Sequence, residues 1–71
     1  MTEAAIIVHR PRETGGRHVT VHGQDIGLAH SDGDLKEFLR QSGLDETDTE
    51  AMVDGDSPEI EWRGGRPHQY V

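Results

Sequence analysis

Three stretches near the N-terminus, residues 4–10, 17–22 and 25–30, are short and rich in β-branched or alternating side chains, and both breaks between them carry glycine. Segments so short and so closely spaced can bury their apolar faces only by pairing as antiparallel hairpins. Ala4 to Arg10 contains Ile6, Ile7 and Val8 and ends at Pro11. Arg17 to His22 alternates Val19 and Val21 with His18, Thr20 and His22, and Asp25 to His30 alternates through Ile26 and Leu28. The first break, Pro11 to Gly16, has the proline and paired glycines of a hairpin loop. The second is read as a tight type II′ turn with Gly23 first and Gln24 second.

These turns imply a register. Setting Arg10 against Arg17 places Ile6 opposite Val21 and Val8 opposite Val19, and leaves Ile7 and His9 on the other face with Thr20 and His18. Setting His22 against Asp25 places Val21 opposite Ile26 and Val19 opposite Leu28. Both turns then put Ile6, Val8, Val19, Val21, Ile26 and Leu28 on one face. The opposite face carries Ala5, Ile7, His9, His18, Thr20, His22, Gly27 and Ala29. A slip of one residue in either hairpin would turn one strand's apolar set outward.

Ser31 follows as an N-cap, with Asp32 and Asp34 at the positive end of the helix it opens. Leu35, Phe38 and Leu39 have the spacing of one apolar stripe, and Gly43 ends the helix with Leu44 folding back on Leu39. Residues 45–57 read either as a loop or as a short helix capped by Asp45 and running through Met52. Pro58 to Arg63 alternates Ile60 and Trp62 with Glu59 and Glu61, a fourth strand. Its expected place is parallel to the first strand, because the helix supplies the long crossover, with pairing beside the third strand as the alternative. The tail, 64–71, turns back at Gly64-Gly65 to bring His68 and Tyr70 beside Trp62 and Ile60, or is flexible. The expected fold is therefore a single α+β domain over 1–71: a β-β-β-α-β chain with a three-stranded antiparallel meander, one helix on one face and a fourth C-terminal strand.

With 71 residues, only 31% of them apolar, the chain has material for one thin core. The absence of cysteine removes disulfides, thiolate ligands and a cysteine nucleophile, so a metal would need histidine and carboxylate ligands. The apolar run Ala4 to Val8 is too short for a signal core or a membrane span, which gives a cytoplasmic, non-membrane expectation. Net charge is −7, and residues 45–61 hold eight acids and no base. Such a field repels phosphates and so disfavours nucleic acid.

Five histidines are the unusual count. The register makes His9 and His18 cross-strand neighbours that could offer two nitrogens to zinc, nickel or copper. A protein zinc site takes three or four ligands, and His22 stands roughly 13 Å along the strand from His18. Surface histidines are the simpler reading. Asp54 to Glu59 alternates carboxylates, yet it fails the calcium-loop template at Pro58, Glu59 and Gly65. No phosphate loop, oxyanion hole or nucleophile with a base is present, so no catalytic residue and no cofactor is assigned.

Three functional expectations follow. The first is a non-catalytic interaction or regulatory module that contacts another protein, or a second copy of itself, through Ile7, His9, His18 and Thr20 and through the acidic Asp48, Glu50, Asp54 and Asp56. The second is a metal-binding protein centred on His9 and His18. The third is an acidic mimic of nucleic acid, of inhibitor or immunity type.

Overall fold

The computed structural model describes residues 5–71; Ala4, expected to open the first strand, lies outside the described residues. Among the described residues, four strands form one mixed sheet and two helices complete an α+β fold. The elements are β1 (Ile6–Val8), β2 (Arg17–Val21), β3 (Gln24–Ala29), α1 (Asp32–Gln41), α2 (Glu46–Asp54) and β4 (Ile60–Trp62). The sheet order is β3-β2-β1-β4, with β4 parallel to β1 and the other pairs antiparallel.

The β1–β2 hairpin pairs Ile6 with Val21, Ile7 with Thr20 and Val8 with Val19. The β2–β3 hairpin departs from the expected register. Its turn is His22-Gly23, both with positive φ (51° and 81°), as a type I′ turn requires, in place of a Gly23-Gln24 turn. Val21 then faces Gln24 and Thr20 faces Asp25. An irregularity between Val19 and Thr20 takes up Ile26, after which Val19 faces Gly27, His18 faces Leu28 and Arg17 faces Ala29. Leu28 therefore shares the side of His18, outside the core that the sequence assigned to it, and Ile26 is likewise absent from the core cluster. Gly27 and Ala29 move the other way: Ala29 is fully buried, and Gly27 is so close under Phe38 that a Cβ there would lie 2.9 Å from the ring tip.

Two helices, not one, cover the sheet. Ser31 caps α1 by accepting from the Asp34 N–H (3.2 Å), while Asp34 accepts from the His30 N–H (3.0 Å). α1 ends as its glycine predicts: Gly43 has φ 106°, Leu44 N–H reaches the Leu39 carbonyl (3.2 Å) and Gly43 N–H reaches that of Arg40 (3.1 Å). Asp45 caps α2 through the Asp48 N–H (2.8 Å), so this stretch is helix, two residues beyond Met52. α2 stops where Asp56 turns left-handed (φ 51°) and Ser57 N–H bonds the Met52 carbonyl (3.0 Å). The core comprises Ile6, Val8, Val19, Ala29 and Ile60 from the sheet, Leu35, Leu39 and Val53 from the helices, and Tyr70.

Tyr70 belongs to no strand or helix. After β4 the chain reverses at Gly64 (φ 70°), and residues 63–71 run back as a strap across one end of the sheet. The strap brings His68 beside Trp62, with ring centroids 5.0 Å apart, and packs Tyr70 edge-on to the same indole at 6.2 Å. Gly16 N–H bonds the Tyr70 carbonyl (2.8 Å), which ties the strap to the β1–β2 loop.

Candidate functional site

The strap closes over a cation. Arg17 opens β2 in phase with Val19 and Val21, so strand alternation drives its side chain into the core side, where it is fully buried. A buried guanidinium must satisfy five N–H donors, and here all five find backbone carbonyls. Nε donates to His9 (2.6 Å), Nη2 to Val8 (3.3 Å) and Arg63 (2.6 Å), and Nη1 to Arg66 (3.0 Å) and Gln69 (2.9 Å). The guanidinium carbon also lies 5.3 Å from the Trp62 ring centroid. Burial pulls the Arg17 pKa below its ordinary value, with Tyr70 partly offsetting this. One side chain thus joins β1, β2, the end of β4 and two points of the strap.

The outer layer of the same region is a histidine between two acids. His68 bonds Asp32 at the start of α1 through Nδ1 (2.7 Å) and Asp56 beyond α2 through Nε2 (2.6 Å). A neutral imidazole carries one N–H only, so this geometry suits the imidazolium, which donates from both nitrogens. The bond to Asp56 raises the His68 pKa, burial opposes that rise, and the bond to Asp32 adds to it. The Tyr70 hydroxyl donates to the second oxygen of Asp32 (2.7 Å), and burial first, then that bond, raises the phenol's pKa. Asp32 therefore serves the helix dipole, the histidine and the tyrosine together.

The residues singled out from sequence fall in three places. Ile7, His9, His18 and Thr20 share the side of the sheet away from the helices. Ile7 is nonetheless buried, at 7% exposure, between its cross-strand neighbours Thr20 and Glu61. His9 Nε2 bonds Thr20 Oγ1 (2.6 Å), while His18 Nδ1 approaches Asp25 (3.5 Å), so each ring is engaged separately. Among the described residues no group of three or more His, Cys, Asp or Glu side chains is placed to hold a metal ion. Asp48 and Glu50 stand exposed on α2, Asp54 pairs with Lys36 (3.0 Å), and Asp56 is engaged by His68. Ala5, Gly27 and Ala29 contact the core side instead of the open face, and His22 sits in the turn.

A shallow apolar cleft of about 440 Å³ lies at the other end of α1, between Ile6, Val21, Leu44 and Met52, with His22 and Glu59 at its edge. A ten-residue helix separates it from the strap by roughly 15 Å. No helix among the described residues is long and apolar enough to cross a membrane. No protein-family model matches the chain, and no significant match is found among curated proteins or solved structures.

Proposed function

We propose that the chain is a non-catalytic interaction module that docks a basic protein on the helix-free side of its sheet. The observation that carries this reading is the one-sided cover: α1, α2 and Tyr70 share one core, while the side with His9, His18, Thr20 and Leu28 faces no helix. That surface sets Leu28 among side chains held by the His9–Thr20 and His18–Asp25 contacts, features that suit a preorganised protein contact. Charge selects the partner. Two copies, each at −7, repel one another, whereas a basic protein is drawn to a domain whose α2 exposes Glu46, Asp48 and Glu50.

The test begins with capture of a partner and is decided with that partner purified. His18→Arg or Thr20→Arg, which set a cation on the docking face, should weaken equilibrium binding by tenfold or more. Asp48→Lys with Glu50→Lys should slow association at low salt and flatten its salt dependence. Binding that ignores all four substitutions defeats the reading, and so does a concentration-dependent homodimer that buries His18 and Thr20.

A further inference from the structure

Asp56 and His68 are the two ends of a hydrogen bond, and both hold a positive φ, 51° and 66°, that non-glycine residues seldom adopt. A third non-glycine residue of this kind, His22, belongs to the I′ turn that requires it. The other two also have local causes: Asp56 is the left-handed residue that ends α2, and His68 follows Pro67 in a turn closed by the Gln69 N–H on the Arg66 carbonyl (3.2 Å). The side chains at these two chain reversals bond each other, so the turn of the strap is tied to the end of α2 through His68. Glycine supplies the pivot: Gly64 lies at φ 70° with its backbone pressed against Arg10, and Gly65 follows.

From this geometry we propose that residues 66–71 are a proton-gated strap, closed while His68 is an imidazolium bridging Asp32 and Asp56 and opened when that proton leaves. The groups facing His68 are Asp32 from α1, Asp56 from the end of α2 and the Trp62 ring from β4, with Tyr70 sharing Asp32 and Arg17 against Trp62. Both charged neighbours of the imidazole itself are carboxylates. Loss of the proton leaves one of them facing a ring lone pair, so one of the two bonds that tie the strap to α1 and α2 is replaced by repulsion. Opening removes Arg66 O and Gln69 O from Arg17 Nη1, and water takes their place. The opened state further exposes the half-buried indole of Trp62 and uncovers an edge of the guanidinium that the closed state hides.

The sign follows from linkage. Closure raises the His68 pKa, so the strap is held fully below the ordinary histidine pKa of about 6.5 and released as pH rises through the raised value. Each unit of that elevation multiplies the open-to-closed ratio tenfold between the acid and alkaline limits. Trp62 is the single tryptophan and reports the change directly.

The experiment is a titration of the intact chain from about pH 5 to pH 9, following the His68 ring by NMR, acrylamide quenching of Trp62 and the amide shift of Gly16. The expected result is a His68 pKa above 6.5 with Trp62 accessibility and the Gly16 amide, bonded to the Tyr70 carbonyl, changing at the same midpoint. Asp56→Asn should lower that midpoint, and His68→Gln should abolish the transition while far-UV circular dichroism stays that of the parent. If His68 titrates at or below 6.5, or titrates while Trp62 and Gly16 do not respond, the strap is a fixed part of the fold and the proposal fails. The wild-type titration alone decides this even if a variant does not fold.

Discussion

Replacing Arg17 by lysine keeps the charge and removes the geometry, so it isolates what the guanidinium does. Five carbonyls, those of Val8, His9, Arg63, Arg66 and Gln69, accept from Arg17. An ammonium has three donors, which strands at least two acceptors. An unsatisfied buried polar group costs about 1–3 kcal/mol, and the strap carbonyls lie near enough to water to fall at the lower end. Two such groups, with part of the cation–π contact to Trp62 lost as well, give a penalty of about 2–4 kcal/mol. A chain of this length has about 4–10 kcal/mol in all, so Arg17→Lys should remove a large fraction of it. Urea unfolding followed by circular dichroism measures the change, and the midpoint should fall with little change in slope. A thermal midpoint lowered by about 10–25 °C is the equivalent signature. An Arg17→Lys chain within about 0.5 kcal/mol of the parent would show that the five carbonyls are satisfied without the fork, and the account of Arg17 as the joint between sheet and strap would be wrong.

Three substitutions test the packing independently. The Thr49 hydroxyl is buried without a hydrogen-bond partner, so Thr49→Val, which keeps the shape and deletes the orphan, should stabilise the fold by about 1 kcal/mol in the same urea assay; a loss of stability would reveal a partner for the hydroxyl. Val19→Thr and Leu28→Thr compare the two sides of the sheet: the first buries a hydroxyl in the core and should cost about 1–3 kcal/mol, the second less than about 1 kcal/mol. Equal costs would return Leu28 to the core and refute the shifted β2–β3 register.

What the sequence made legible were the features with local causes. The β1–β2 register follows from the alternation of Val19 and Val21 against Ile6 and Val8. The ends of α1 follow from Ser31 and Gly43, which act on backbone groups within five residues, whereas the sequence left the Asp45-capped helix open against a loop. The second hairpin failed at one choice of turn. Both His22-Gly23 and Gly23-Gln24 are acceptable two-residue turns by composition, and only the first leaves room for a bulge that buries Ala29 and lets Phe38 cover Gly27. Close helix packing decided between them, and that is a tertiary effect to which alternation is blind.

A fold-back of the tail at Gly64-Gly65 was one of two sequence readings, but the partners of the strap were not legible, since the hydrogen bonds of residues 66–71 to the rest of the fold reach from 12 to 54 residues along the chain. One signal was nevertheless present. Alternation that places Val19 and Val21 inward also places Arg17 inward, and a charge in phase with an apolar set must be answered by acceptors from somewhere. No acid lies in phase beside it in the sheet, and the carbonyls left over by regular structure are those of a segment that forms none. Gly64-Gly65, Pro67 and a Tyr70 that can reach back to Trp62 fit a tail that folds back without joining the sheet. Arg17, read as unsatisfied, demands such a tail, and its bonds to the Arg63, Arg66 and Gln69 carbonyls are what hold nine residues without secondary structure, 63–71, against the sheet.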